Sequence, residues 1–523
     1  MIAGCTSALR GGILFLTLDT RGSSVNVFTP AVALELEREL REGLAAGAKA
    51  VVLQSAKPGS FINGVGLLLA ASSHTQDAAM ERTRALRRCY ASLAEAPVPT
   101  IAAIEGNCYG CGLELALTCD YRIARDTYDT QFYMPEVRDY SFIPLFGGTQ
   151  RLPRLLGLRA GMEILLGNRL DARHAARIGL IDRLAPESGV GGELRSFLAA
   201  LRGRGWQKRA PQAAPVSRPP PLEELPGPER RLARQCLRLA RLPFQRGYRL
   251  ENGLRQELES FWHSLGRKES ERAMSFFFVR QAAKAHAIGS ASYERPRRLS
   301  LSVAGDTPPL RKLLGILSSR HLPGIDLRPK GSIAFAAGRV PGAFTCVLGA
   351  GPRSGGDCAA FLPFPDEPAP VIELVPAAEG RPWRRGAPLF QVLEQAGLVP
   401  VVTRARERFV SQRLLGAFRE AVGSAPARAG LHEFGYRLPQ PLADRVRPGG
   451  SARGIAQRVS AALATECVRA LDEGELTHPS QADVLAHALF GFPVVRGGLL
   501  RYVASRGTAS ARAAARVLGR AQP

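Results

Sequence analysis

With 523 residues, 45% of them hydrophobic and 22% charged, the chain is too long for one typical domain and too apolar for a disordered polymer. Its net charge of +24 is spread along the whole length, and neither a zinc-finger spacing nor an RNA-binding signature accompanies it, which argues against a nucleic-acid reader. An arginine-rich composition, of the kind a GC-rich coding sequence produces, accounts for most of the charge; attraction to an anionic partner is the competing account.

No apolar run reaches about 18 residues, so no membrane span is expected. The opening MIAGCTSALRGG lacks the basic start and long apolar core of a signal peptide, so a cytoplasmic location is the default expectation.

In chain order, Ile13–Leu18 reads as a short strand. Thr29-Pro30 can cap and open a helix through about Leu44, with Leu36, Leu40 and Leu44 spaced four apart on one face. Ala50–Gln54 reads as a buried strand, Lys57-Pro58-Gly59 as a turn, Ala78–Ala96 as a helix and Pro99–Ile104 as a strand. A glycine-rich loop at 106–112 leads into a small-residue helix that carries Glu114, followed by the strand Cys119–Ala124. Glu136 follows in a Met-Pro-Glu turn, 22 residues after Glu114.

The loop exposes backbone N–H groups along a helix axis, and such a helix N-terminus favours developing negative charge. Glu114 precedes the apolar Leu115-Ala116-Leu117, and a carboxylate buried there is costly unless it has partners or a task. Donors of this kind beside two carboxylates suit proton transfer next to a carbonyl. Spacing alone equally allows a capping glutamate at 114 and an ordinary surface glutamate at 136.

Nine cysteines in so long a chain suggest reduced thiols and no disulfide framework. Cys108 and Cys111 form a lone CxxC with neither a second CxxC nor a nearby histidine pair, which speaks against zinc and leaves only a weak redox signal.

Further on, helices are expected at Arg151–Leu156 and from an Asp171 cap to Ile178, with a strand at Gly179–Leu184. Gly, Pro and Arg dominate from Glu187 to about Leu225, which reads as a linker stiffened by Pro219-Pro220-Pro221. Pro228–Leu242 and Glu251–Ala285 read as helices, the second with Phe261, Trp262 and Phe276–Phe278 as a packing face. Leu299–Val303 alternates like a strand and runs into Gly305-Asp306-Thr307-Pro308-Pro309. Pro370–Pro376 reads as a strand and Ile455–Glu473 as a helix, and an Ala/Arg-rich helix ends the chain.

Six segments occur in a distinctive order: Phe61–Gly64, the loop Gly106–Glu114, Cys119–Ala124, Pro135–Glu136, Gly147–Gly157 and Ala175–Asp182. Together they resemble the crotonase (enoyl-CoA hydratase/isomerase) superfamily, in particular the hydratase half of the multifunctional fatty-acid β-oxidation α subunit. The resemblance implies a multidomain α/β chain. A crotonase ββα spiral would occupy 1–190 and a helical linker 191–297. A reduced Rossmann-like α/β region would occupy 298–404, and a helical C-terminal region 405–523.

It implies that Glu114 and Glu136 are the catalytic pair and that the N–H groups of Val65 and Cys111 form an oxyanion hole. Gly64, Gly110 and Gly112 would line the substrate. Two departures stand out: Gly66 replaces the usual acid after Val65, and Cys111 replaces the usual glycine. Retention of both glutamates implies hydration of a 2-enoyl thioester, with coenzyme A as part of the substrate and no tightly bound cofactor or metal.

In the dehydrogenase-like half, the second and third glycines of a dinucleotide loop are missing after Gly305, and two prolines remove amide donors. Phe361 stands where that half carries its catalytic histidine, so NAD binding and hydride transfer are expected to be lost. A thiolase-type β subunit or a second copy is the implied protein partner. A non-catalytic structural subunit, and an isomerase or altered crotonase of secondary metabolism, are the alternatives.

Overall fold

The computed structural model describes residues 4–23, 25–64, 76–127, 129–209, 214–288, 299–304, 307–318, 325–327, 333–336, 344–348, 351–352, 357–367, 370–377, 383, 386–424, 426–448 and 452–520. They fall into two compact units, Met1–Leu222 with Arg231–Arg267, and Glu223–Arg230 with Lys268–Pro523.

The first unit holds strands β1 (Cys5–Arg10), β2 (Ile13–Leu18), β3 (Ala50–Ser55), β4 (Ser60–Ile62), β5 (Thr100–Ile104), β6 (Asn107–Tyr109), β7 (Tyr121–Arg125), β8 (Gln131–Tyr133), β9 (Leu170–Asp171) and β10 (Arg183–Ala185). Among the described residues these form a six-stranded sheet in the order β1-β2-β3-β5-β7-β10 and a four-stranded sheet in the order β4-β6-β8-β9. Helices α1 (Pro30–Ala45), α2 (Gln76–Ala94), α3 (Cys111–Ala116), α4 (Glu136–Asp139), α5 (Gly148–Leu156), α6 (Leu158–Leu165) and α7 (Ala172–Arg177) connect the strands, α4, α5 and α6 following one another between β8 and β9. Three times the chain leaves the larger sheet, adds a strand to the smaller one and enters a helix: β3-β4-α2, β5-β6-α3 and β7-β8-α4. This is the ββα spiral that the sequence leads one to expect.

Local chemistry explains the elements. The central strands pair in parallel, β2 with β3, β3 with β5 and β5 with β7. Strands covered on both faces read as continuous apolar runs, and β5, TIAAI, is buried throughout. The Thr29 side chain accepts the Val32 N–H at 3.3 Å and Pro30 opens α1, as expected. Asp171 likewise caps α7 by accepting the His174 N–H at 2.6 Å.

The expected linker is corrected at its start. Residues Gly191–Gly203 form a helix, α8, whose Leu194, Leu198 and Leu201 are buried against Ala50, Val52, Ile101 and Ile123 of the larger sheet. Its composition looks like a linker's, but its leucines repeat at helical spacing, and burying them completes the core. The first unit therefore extends past residue 190. It also takes in most of helix α9 (Gly227–Arg241) and all of helix α10 (Leu250–Leu265), which the expected boundaries place in the linker. The single helix expected over Glu251–Ala285 is two, α10 and α11 (Lys268–Ile288), interrupted at Gly266, a residue of weak helix propensity. The strand expected at Gly179–Leu184 begins later, at Arg183.

In the second unit, β11 (Leu299–Ala304), β12 (Ile325–Leu327), β13 (Ile333–Ala336), β14 (Phe344–Leu348), β15 (Cys358–Phe361), β16 (Val371–Pro376) and β17 (Val399–Val402) form a seven-stranded sheet, in the order β12-β11-β13-β14-β15-β16-β17. Every neighbouring pair is parallel except β15–β16. Strand β11 lies between β12 and β13, as the first strand of a doubly wound sheet does. Among the described residues, helices α12 (Pro308–Ser318) and α13 (Ala387–Gln395) are the two that interleave with these strands. That is a reduced α/β region.

Helices α14 (Val410–Val422), α15 (Arg428–Phe434), α16 (Gln440–Ala443), α17 (Ala452–Asp472), α18 (Pro479–Phe490), α19 (Leu499–Ala504) and α20 (Ala509–Gly519) complete the unit. Ala359, Val371, Val375 and Val401 of the sheet share one buried cluster with Phe418, Leu463, Phe490 and Leu500 of the helices. The boundary expected at residue 404 is therefore not a division between cores. No described helix is long and apolar enough to cross a membrane.

Candidate active site

The site grows from the β5-β6-α3 turn of the spiral. Gly110, between β6 and α3, has φ 51° and ψ −120°, a conformation that side chains rarely adopt, and a Cβ on it would collide with Oε1 of Glu136. Two residues on, a Cβ at Gly112 would lie 2.6 Å from Cβ of Ile62 and 2.7 Å from its carbonyl oxygen, so α3 packs directly on β4. The glycines are thus fixed by close approach. They bring the N-terminus of α3, Ile62 and Glu136 together.

Helix α3 is buried along its whole length and begins at Cys111. The first N–H groups of a helix have no acceptor within it, so the Cys111 amide is free of the helix's own ladder. Tyr90 of α2 donates its hydroxyl to the Cys111 carbonyl at 2.6 Å and stacks on Phe146 with ring centroids 4.6 Å apart. Burial pushes the Cys111 and Cys108 thiols well above the usual thiol range, with Glu114 and Glu136 adding like-charge repulsion at Cys111. Both cysteines are free and buried, which leaves little thiolate for redox chemistry.

Glu114 lies on α3 with 1% of its surface exposed, and its Oε1 accepts the N–H groups of Phe146 and Gly148, each at 2.8 Å. Burial raises its pKa most, followed by the charges of Glu257 and Glu136, while the two amides oppose the rise. Glu136 is the first residue of α4 and is buried too. Its Oε1 rests against Gly110, and its Oε2 is buried with no hydrogen-bond partner among the described residues. Burial lifts this carboxyl to about 8, its own amide opposing, with Asp139 and Glu257 adding repulsion. A buried polar atom left without a partner is rare in folded proteins and points to a water or a ligand.

Of the residues singled out in the sequence, Gly110, Cys111, Gly112, Glu114 and Glu136 are brought together. Gly64 is described, with φ 111° and its carbonyl accepting the Phe28 N–H at 3.0 Å. Val65 and Gly66 lie outside the described residues. The surface reading of Glu136 is corrected, since its side chain is buried. The Gly147-Gly148 turn contributes directly to the site, because the Gly148 amide holds the Glu114 carboxylate.

Sequence reasoning missed Tyr90 and Glu257. Glu257 accepts the Gly147 N–H at 2.6 Å, the Thr149 N–H at 2.9 Å and the Thr149 hydroxyl. A signal for it existed: Gly253, Glu257, Phe261 and Ser264 make the buried stripe of α10, and a glutamate in such a stripe calls for a partner.

Residues 9–210 match the enoyl-CoA hydratase/isomerase family model. The fatty acid oxidation complex subunit alpha of Vibrio parahaemolyticus is 32% identical over 202 residues, which cover 38% of this chain and 28% of that protein. The subunit of the same name from Shewanella loihica is 37% identical over 182 residues, covering 34% and 26%. The matched stretch thus spans little more than a quarter of these relatives. Among solved structures, an enoyl-CoA hydratase from Bacillus halodurans aligns at 21% identity and a TM-score of 0.41, over 52% of this chain and 99% of that one.

Proposed function

We propose that residues 9–210, a domain of the enoyl-CoA hydratase/isomerase family, add water across the α,β double bond of a 2-enoyl thioester or remove it in the reverse direction. In hydration, water oxygen attacks the β-carbon, a base takes its proton, and an acid gives a proton to the α-carbon. Negative charge gathers meanwhile on the thioester oxygen. Both carboxyls are buried: burial and the charges of Glu257 and Glu136 raise Glu114, and burial lifts Glu136 to about 8, so Glu136 can hold a proton near neutral pH and give it up, which suits the pair to acid–base exchange. The Cys111 amide at the start of α3, joined through the family resemblance by that of Val65, would receive the thioester oxygen.

The observation that carries this reading is Oε2 of Glu136: buried and without a hydrogen-bond partner among the described residues, on a carboxyl whose Oε1 rests against Gly110 at the start of α3, the helix that bears Glu114. An isomerase often relies on a single acid/base carboxylate, so two in one site favour hydration. A CoA thioester is the proposed substrate form, and assembly with a thiolase-type subunit or a second copy is a further part of the proposal. It draws on the relatives' designation as complex subunits.

Loss of the enoyl absorbance of crotonyl-CoA tests the assignment. Turnover is expected from the purified chain, and Glu114→Gln and Glu136→Gln should each lose about 10²–10⁴-fold in kcat. Binding of an acyl-CoA without turnover would move the chain to the structural-subunit or the altered-crotonase reading.

Loss of the dehydrogenase activity is part of the same proposal. Phe361, at the position of the histidine, stacks on Phe409 with centroids 5.2 Å apart, and a phenyl ring can neither give nor take a proton. Gly305 and Asp306 lie outside the described residues. Saturable NAD binding would overturn this part alone.

A further inference from the structure

Helix α10 begins 114 residues beyond Glu136 in sequence, yet it grips residues 142–149, the segment that follows Glu136 and supplies the amides held by Glu114, at two places. Near its C-terminal end, Ser264 Oγ accepts the Ile143 N–H at 3.0 Å, and Phe261 packs edge-on to Phe142 with centroids 5.6 Å apart. Phe142 in turn donates its N–H to the Glu136 carbonyl at 3.0 Å. Halfway along, Glu257 accepts the amides of Gly147 and Thr149, while Glu114 accepts the amides of Phe146 and Gly148. Two carboxylates thus interleave on four successive N–H groups at the start of α5. The helix approaches closely because Gly253 leaves room: a Cβ there would collide with the Gln150 side chain.

Burial lifts the Glu257 carboxyl to about 7, and its hydrogen bonds oppose the rise. Thr149 Oγ1 accepts from Gln150 Nε2 at 2.8 Å, so its single proton is directed at Glu257. Three donors therefore converge on this carboxyl and favour its ionised form against the burial. From α5 it also faces the charge of Arg151. From α3 and α4 it faces the like charges of Glu114 and Glu136, and Cys236 of α9 and Tyr248 lie within its field. Removing its negative charge removes a repulsion from Glu114.

We propose that Glu257 is a positioning residue of the hydratase site: its carboxylate fixes the α5 amides that hold Glu114, and its charge sets the pH at which the Glu114–Glu136 pair gives up its proton. The proposal rests on the functional reading above. Glu257 touches no reacting atom and acts through Glu114.

The test uses the full chain and two readouts. The pH profile of kcat on crotonyl-CoA is measured for the wild type, Glu257→Gln and Glu257→Asp. In parallel, the infrared band of protonated carboxyl groups is titrated in the free protein, with the part lost in Glu114→Gln assigned to Glu114. Glu257→Gln should move both the profile and the Glu114 band to lower pH by about one unit. Glu257→Asp, which keeps the charge and shortens the reach, should lower kcat with the profile unmoved.

Should the glutamine variant fail to fold, Thr149→Val serves in its place. It removes the hydroxyl donor, favours protonation of Glu257, and should move both readouts in the same direction. A Glu114 band and a profile that stay put when the charge is removed or weakened would overturn the inference. Wild-type inactivity would instead sink the functional reading, and the infrared titration would still decide the role of Glu257.

Discussion

Glu136 couples the site to the stability of the fold. Its unfolded carboxyl titrates near the ordinary 4.5, and burial lifts the folded one to about 8. The folded state therefore binds the extra proton. The contribution of this group is fully present below 4.5 and is lost as pH rises through about 8. Glu136→Gln removes that loss, so its melting temperature should fall less than that of the wild type between pH 5 and pH 9. Equal falls in both proteins would refute the burial argument.

Gly110 makes a separate claim. Alanine there would meet both the positive φ of 51° and Oε1 of Glu136, so Glu136 must move. Displacement of a reacting group by about 1 Å costs on the order of 10²-fold in rate. Gly110→Ala should lose about that much turnover while the thermal transition stays cooperative, and full activity would show that Glu136 is not held there. At this scale the sequence was informative where a residue belongs to a short motif, as Gly110, Glu114 and Glu136 do. The partner of Glu257 was hidden by distance along the chain, for nothing in its neighbourhood shows that α10 folds back onto residues 142–149.

Among the elements, those with a local cause were legible. Thr29-Pro30 and Asp171 carry their own caps, and β5 declares itself by unbroken apolar character. Those that depend on tertiary partners were not. Strand β1 shows little apolar alternation and exists by pairing antiparallel with β2. Helix α8 was obscured by the Gly, Pro and Arg around it, although Leu194, Leu198 and Leu201 keep a helical period and are buried.

If α8 is a core element, truncating one of its leucines must cost what core truncations cost. Leu198→Ala should lower the unfolding free energy of the first unit by about 2–4 kcal/mol, read from a denaturant midpoint shift at constant m-value. A linker helix would lose a few tenths at most.

At the scale of the molecule, the expected order of regions survives while the boundary at 404 dissolves, and Glu373 shows why. This glutamate sits in β16 with none of its surface exposed. It accepts the Thr403 hydroxyl at 2.6 Å, the Val410 N–H at 2.8 Å, the Ser411 N–H at 2.7 Å and the Ser411 hydroxyl. The last three groups open helix α14, so one side chain of the sheet caps the first helix of the region expected to stand apart. The strand was visible in sequence, but its partner could not be, since a capping carboxylate normally precedes its helix by only a few residues.

Glu373→Ala strands buried donors on both sides. Each uncompensated buried group costs about 1–3 kcal/mol. Hydrogen exchange of the full chain should then show protection falling together in β16, β17 and α14, because sheet and helix share one cooperative core. Loss confined to α14, with the sheet still protected, would restore the division at 404 and reduce Glu373 to a local cap.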